Sequence, residues 1–513
     1  MFEFGLEFST HLTLGMVNAA TAVNIGYACL GATIGTLIGV LPGLGPSAAL
    51  ALLLPATYGM PAGPALILLA SVYYGAQYGG STTSILLGIP GEASSVVTTI
   101  DGHRMTQDGR ARHALLAAGL SSFLAGTIGT LLIFAAAPAL ASVAFQFGPE
   151  EYLAVAVLSL TAALLVSGGP VLPTAMTGAL GLWLGLIGTD VATGLQRFTY
   201  GIPELLDGIP FIALSIGLFG YSEVIAHIFK SSDSVPAVES SPIKRIACSS
   251  EFHRMWPAAF RGTGIGFLSG LLPGGGTVLA SFVSYTVEQR QALAPGELRV
   301  GSGNIRGVAG PEAANNGAAQ SAFIPMLVLG IPPNASTALM LGAMTLHNIQ
   351  PGPQVMSANP TLFWGLVASM LIGNVILVIL NVPLIRLWTS LLLIPRRPLL
   401  AVIAVACTLG IYASSPSPVF DLGLGLAFGV LGYILTHRLK IEPTTLLLAF
   451  ILSPMLEENF TRAMTIQHGD LSTFISRPIS ASVLAVAMLM VFGKIASSWL
   501  FRNFGVSRQT NAI

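Results

Sequence analysis

The sequence predicts an all-α, polytopic membrane protein built from two inverted-topology repeats, with broken, re-entrant helices at the bilayer midplane and about 10–12 transmembrane segments. Three observations predict it. Hydrophobic residues make up 53% of the 513-residue chain and charged residues only 9%, whereas an ordinary soluble domain carries about 25% charged residues. Apolar runs of the roughly 20 residues that a membrane helix needs recur along the chain, clearly at 151–168, 361–383 and 478–501. Two apolar segments are interrupted by nearly the same pentapeptide, LGIPG at 87–91 and LGIPP at 329–333. A transmembrane barrel would instead show about ten-residue segments of strict alternation, and none is present.

The first element is the apolar N-terminal segment. Glu3 and Glu7 stand where a cleaved leader carries positive charge, so this helix is expected to insert directly. The longest polar interval, 231–255, is rich in Ser, Pro and charge without an apolar period, and is expected to be a cytoplasmic linker. It separates membrane repeat 1 (1–230) from membrane repeat 2 with a C-terminal transmembrane helix (256–513). Cys29, Cys248 and Cys407 lack metal-ligand spacing and are expected to be packing residues. A formal net charge of zero and the lack of a long basic run give no expectation of a nucleic-acid partner.

The halves match collinearly. LPG at 41–43 returns at 272–274, LGIP at 87–90 returns at 329–332, Pro138 answers Pro383, and LGLWLGLIG at 180–188 answers LGLAFGVLG at 424–432. Lysine and arginine in short loops indicate the relative orientation, because cytoplasmic loops collect them. The loop at 102–113 carries Arg104, Arg110 and Arg112 while its partner at 345–356 carries none; the loop at 146–150 carries none while its partner at 394–398 carries Arg396 and Arg397. Charge changes sides between the repeats, which predicts inversion.

Inverted repeats are an architecture of secondary transporters, in which two antiparallel copies of a unit open a central site to either side in turn. Proline and glycine together end a helix inside an apolar run. Broken backbone at membrane depth is tolerated where it lines a protein or water-filled cavity, and half-helix N-termini there present amides to an anion while free carbonyls coordinate a cation. The candidate substrate- or ion-binding residues are therefore those of the four breaks, Pro42, Gly43, Gly45, Gly88, Pro90, Gly91, Pro273, Gly274, Gly275, Gly330, Pro332 and Asn334. The polar runs upstream add Ser81, Thr82, Thr83, Ser84, Asn315 and Asn316. Carbonyls near Gly88 and Gly330 are the candidates for Na⁺. Packing of small residues and interhelical hydrogen bonding is the alternative role for each Ser or Thr.

Glu92 and Glu312 are expected to complement helix N-termini; the sharper alternative is a cation or proton site at membrane depth. Asp101 and His103, in TTIDGHRM, are expected in a loop rather than as a catalytic pair. The eight histidines form no HExxH cluster, and neither glycine-rich break is followed by Lys-Ser or Lys-Thr as a phosphate loop would be. No enzyme activity is expected.

GVLPGLGP, YYGAQYGGSTTSILLGIPGE, TTIDGH, GNIRGVAGPEAANNGAAQSAFIPMLVLGIPPNASTALMLGA and LSPMLEENFTRAM together resemble the large membrane subunit of the tripartite tricarboxylate transporters, the TctA type. The resemblance runs through essentially the whole chain. It implies a multi-pass subunit of a bacterial inner membrane that translocates carboxylates such as citrate by Na⁺ or proton symport, with no other cofactor. The implied partners are a small membrane subunit (TctB-like), a periplasmic solute-binding protein (TctC-like), the carboxylate substrate and the lipid bilayer. A passive organic-anion channel is the alternative reading, distinguished by flux that ignores both gradients.

Overall fold

The computed structural model describes residues 2–41, 45–166, 170–190, 194–229, 250–272, 276–294, 296–381 and 396–503. Most of the expected linker at 231–255 lies outside the described residues, as do Pro42, Gly43, Pro273, Gly274, Gly275 and Pro383.

The first half comprises α1 (Phe2–Ala19), α2 (Ala22–Gly39), α3 (Gly45–Leu53), α4 (Ala62–Leu87), α5 (Val96–Gln107), α6 (Ala111–Ala144), α7 (Pro149–Val166), α8 (Val171–Gly185), α9 (Phe211–Ser215) and α10 (Ser222–Phe229). The second comprises α11 (Ser250–Gly270), α12 (Gly276–Arg290), α13 (Arg306–Ser321), α14 (Ala335–Leu346), α15 (Gln354–Ala358), α16 (Pro360–Asn381), α17 (Arg396–Ser414), α18 (Pro418–Tyr433), α19 (Thr444–Ile466), α20 (Thr473–Ser476) and α21 (Pro478–Asn503). Alongside the helices stands one small antiparallel hairpin, β1 (Gly188–Thr189) with β2 (Gln196–Arg197), which the all-α expectation omits. Among the described residues four helical stretches, 22–39, 111–144, 360–381 and 418–438, are long and apolar enough to cross a membrane, and shorter apolar helices accompany them. The protein is a multi-pass membrane protein.

Glycine ladders hold the inner layer together. A Cβ on Gly31, Gly35 or Gly39 of α2 would lie 2.4, 2.3 or 2.1 Å from the carbonyl oxygens of Leu68, Val72 and Ala76 in α4. On Gly262, Gly266 or Gly270 of α11 it would lie 2.2 Å from the carbonyl oxygens of Gly310, Ala314 and Ala318 in α13. Only glycine lets helix backbones approach this closely, and with no hydrophobic gain between helices in lipid, such dispersion contacts drive association. Packing is reciprocal beyond these pairs: α6 lies against α11 and α13, and α16 lies against α2 and α4. The outer layer repeats the device. Gly181 and Gly185 of α8 face Leu446 and Ser453 of α19, while Gly425, Gly429 and Gly432 of α18 face the stretch from Ala213 to Ser222. The glycine spacing shared by LGLWLGLIG and LGLAFGVLG serves these contacts.

The loop expected at 102–113 is mostly helix, since α5 runs through Gln107 and α6 starts at Ala111. Asp101 and His103 therefore sit on a helix, a correction with a clear cause. Polar residues that sequence alone assigns to a loop are here satisfied by tertiary hydrogen bonds. The fully buried Asp101 carboxylate accepts from the amides of Gly301, Gly303 and Asn304 at 2.8 Å and from the Tyr285 hydroxyl at 3.0 Å.

Candidate functional site

Each LGIP segment stops a helix in the same way. Gly88 and Gly330 adopt the left-handed conformation, at φ 69° and 70°, and the proline two residues on prevents the helix from continuing. Extended residues follow, and a new helix begins. Asn334 caps α14 with a reciprocal pair: its Oδ1 accepts from the Thr337 amide at 3.0 Å and its own amide donates to Thr337 Oγ1 at 3.1 Å. At the equivalent place Glu92 precedes a 3₁₀ turn (Ala93–Ser95) that leads into α5, and its amide donates to Ser95 Oγ. The other two breaks lead into α3 and α12, whose first residues Gly45 and Gly276 also have positive φ, 55° and 46°.

These four helix starts border one cavity of about 800 Å³. Its lining includes Gly45 and Ser47 from α3, Pro90, Gly91 and Glu92 from the first LGIP break, Gly276 and Thr277 from α12, and Asn334 and Ser336 from the second. Ser47 and Ser336 hydroxyls lie 3.2 Å apart, so the starts of α3 and α14 touch. Tyr73 and Gln77 of α4 form part of the wall. Gln77 is 1% exposed, and neither atom of its amide has a hydrogen-bond partner; Asn334 Nδ2 has none either. The Tyr73 hydroxyl lies near both amides. An unpaired buried amide costs about 1–3 kcal/mol, so this wall is built for a polar occupant. The positive ends of helix dipoles favour an anion, and an 800 Å³ space is large enough for a small organic one.

The sequence candidates divide. Gly45, Pro90, Gly91 and Asn334 line the cavity. Gly88, Gly330 and Pro332 form the breaks without lining it; Gly88 packs on the His103 ring and Gly330 on Pro351. Thr83 donates to the Val40 carbonyl at 2.7 Å and Ser84 to Ser95 Oγ at 2.7 Å, tying α4 to the end of α2 and to the turn before α5. Ser81 and Thr82 face a second, smaller space with Glu312. Asn315 Nδ2 donates to Glu92 Oε1 at 2.8 Å, which fixes the carboxylate at the cavity edge, and Asn316 Nδ2 donates to Ser122 Oγ at 2.7 Å.

Glu312 does not sit at a helix N-terminus. Since α13 begins at Arg306, Glu312 lies beyond its first turn, where the helix dipole has little effect. Its oxygens instead accept from Ser81 Oγ and Thr98 Oγ1, both at 2.6 Å. Sequence reasoning also missed the outer layer's share of the cavity, from Leu218 to Glu223 and from Glu442 to Leu448. The run Glu442, Pro443, Thr444, Thr445 starting an apolar helix is the signal that could have found it.

A family model described as "Tripartite tricarboxylate transporter TctA family" matches residues 25–448. One relative, an "Uncharacterized 52.8 kDa protein in TAR-I ttuC' 3'region" of Agrobacterium vitis, is 47% identical over 487 residues, covering 95% of this chain and 96% of the relative. A second, an "Uncharacterized protein in TAR-II ttuC' 3'region" of the same organism, is 50% identical over 226 residues, covering 44% of this chain and 92% of the relative. No solved structure matches.

Proposed function

Since the chain belongs to the tripartite tricarboxylate transporter TctA family, we propose that it is the translocating subunit of a binding-protein-dependent secondary transporter that imports tri- or dicarboxylates across a bacterial inner membrane by cation symport. The observation that carries this reading is the cavity bordered by four helix starts, with Gln77 and Asn334 leaving amide groups unpaired in its wall. A carboxylate docks against the amides of the helix starts. Hydroxyls of Ser47, Thr277 and Ser336 and the amide of Gln77 complete its hydrogen bonds. Burial of its charge is offset by the helix dipoles and by a co-transported cation.

The two halves are inverted repeats whose LGIP hairpins are re-entrant. Supporting this are the matched glycine ladders of α2 with α4 and α11 with α13, the reciprocal seating of α6 and α16, and the exchange of arginines between partner loops. Alternating access then follows from movement of one packed layer against the other around the cavity. A small TctB-like membrane subunit and a TctC-like periplasmic protein that delivers the carboxylate complete the system.

Proteoliposomes holding this chain and its small partner, supplied with the periplasmic protein, test the reading. Accumulation of a radiolabelled carboxylate against its gradient, dependent on the binding protein and on an imposed Na⁺ or proton gradient, is the expected result. Flux that only equilibrates the carboxylate and ignores both gradients identifies an organic-anion channel instead.

A further inference from the structure

A second, smaller space lies between α4, α6, α13 and the end of α16. It measures about 20 Å³ and is lined by Tyr78, Ser81, Thr82, Ser122, Glu312 and Asn381 among others. One water-sized sphere needs about 10–15 Å³ by the same kind of measure, so the space fits a single small particle. Among the described residues its polar lining offers oxygen from one carboxylate, three aliphatic hydroxyls, a phenol and an amide.

Two features point to what that particle is. Glu312 is 1% exposed, yet no described Lys, Arg or His pairs with it. The other deeply buried glutamates are paired: Glu288 with Arg261 and Arg306, Glu150 with Arg477. Ser81 and Thr98 hydroxyls give Glu312 hydrogen bonds but no neutralising charge, and an unpaired ion at membrane depth is expensive. Asn381, 8% exposed, donates its Nδ2 to the Leu377 carbonyl at 2.9 Å and leaves Oδ1 without a partner. A water could satisfy Asn381 Oδ1, but only a cation at this place would also balance an ionised Glu312 carboxylate.

We propose that this space is a Na⁺ site, with Glu312 as its charged ligand and Ser81, Thr82, Ser122 and Asn381 as neutral oxygen ligands. One carboxylate balances one monovalent ion. A divalent ion would remain under-neutralised here, since Ca²⁺ sites gather several carboxylates and Mg²⁺ retains several waters that a single-particle space cannot hold. The ligand set is prearranged: Asn316 Nδ2 donates to Ser122 Oγ at 2.7 Å, which uses one lone pair of that hydroxyl and leaves the other for the ion. The space is linked to the wall of the larger cavity through side chains on one helix. Glu312 and Asn315 are one turn apart on α13, and Asn315 holds Glu92 at the cavity edge. That the ion is co-transported with the carboxylate rests on the transporter reading; that it binds here rests on the geometry alone.

Thermal melting of the purified full chain in detergent, without carboxylate, tests binding directly. NaCl is titrated against choline chloride at constant ionic strength, with KCl as the second series. The expected result is a saturable rise in Tm with Na⁺ that K⁺ does not reproduce. Glu312→Gln should lose the rise, and Asn381→Ala should raise the half-saturating Na⁺ concentration on the order of tenfold. Should Glu312→Gln fail to accumulate, Asn381→Ala and Ser122→Ala carry the test, because both remove a neutral group. Equal response to Na⁺ and K⁺, or an unchanged Na⁺ response in Asn381→Ala and Ser122→Ala, overturns the site. Proton-driven uptake by a chain whose Tm ignores Na⁺ would overturn the site and leave the transporter reading standing. Na⁺-specific melting in a chain that carries no carboxylate would do the reverse.

Discussion

Ser81 of α4 donates a 2.6 Å hydrogen bond to Glu312 of α13, joining residues 231 positions apart at a place where neither side chain meets solvent. The bond ties the polar run before the first LGIP break to α13, the helix upstream of the second. Ser81→Ala removes one of the two hydroxyl donors to a buried carboxylate and should destabilise the chain by about 1–3 kcal/mol. Thermal melting in detergent reads the effect.

The glycine ladders make a sharp prediction because neighbouring glycines differ in surroundings. Gly35→Val and Gly266→Val place side chains where even a Cβ would lie within 2.3 Å of a carbonyl oxygen of the facing helix, and should prevent accumulation of folded protein. Gly26→Ala and Gly264→Ala, where a Cβ meets nothing within 4 Å, should accumulate normally. Fluorescence-detected size-exclusion of tagged variants distinguishes the two classes.

Pro90→Ala and Pro332→Ala restore a backbone donor and relax the stop at each LGIP break. Both should insert and accumulate, because the helix-ending glycines Gly88 and Gly330 remain. Uptake should fall, because Pro90 belongs to the cavity wall and Pro332 sets the approach to the Asn334 cap. Normal uptake by both would make the breaks structural only.

Gln77→Leu replaces an unpaired buried amide by an apolar side chain one heavy atom smaller. Removing a group with no protein partner should leave stability unchanged or raised, whereas losing its bond to a bound carboxylate should weaken binding about tenfold. Opposite movement of Tm and carboxylate affinity is the signature; a fall in both would mean the amide is structural.

Asp101 closes the turn before α13 by accepting three backbone amides and the Tyr285 hydroxyl, and the Cβ of any residue replacing Gly307 would lie 2.0 Å from its Oδ2. Asp101→Ala leaves those donors unpaired and should cost more than about 3 kcal/mol. Asp101→Asn keeps the shape and part of the acceptor capacity, so its cost should be smaller. Comparison of the two melting temperatures checks the order.

The membrane class and the positions of both LGIP breaks were legible, because composition and the Gly-Pro pairing at 88–90 and 330–332 are local signals. The cavity was legible only in part. Gly45, Pro90, Gly91 and Asn334 reach it as their position at helix starts suggests, but Thr83 and Ser84 point toward α2 and the turn before α5, and a one-dimensional run does not say which way each hydroxyl faces. Glu312 follows Gly-Pro, which resembles a helix start; the helix in fact begins at Arg306, with Pro311 accommodated inside it. Asp101 resembled a loop residue because its partners lie 200 positions away. The ladders at Gly31, Gly35, Gly39 and at Gly262, Gly266, Gly270 stand in the sequence as small residues at four-residue spacing, but spacing on one helix does not say which helix it meets.

The proposed occupant of the cavity bordered by the four helix starts is a carboxylate. In a chain with Cys29, Cys248 and Cys407 replaced by alanine, Thr277→Cys puts a thiol on the cavity wall. The rate at which a negatively charged methanethiosulfonate modifies it, with and without a panel of di- and tricarboxylates, is the measurement. Slowing by the same carboxylate that the reconstituted system accumulates is the predicted result. A modification rate that no transported carboxylate alters would contradict the claim and place the substrate path elsewhere in the chain.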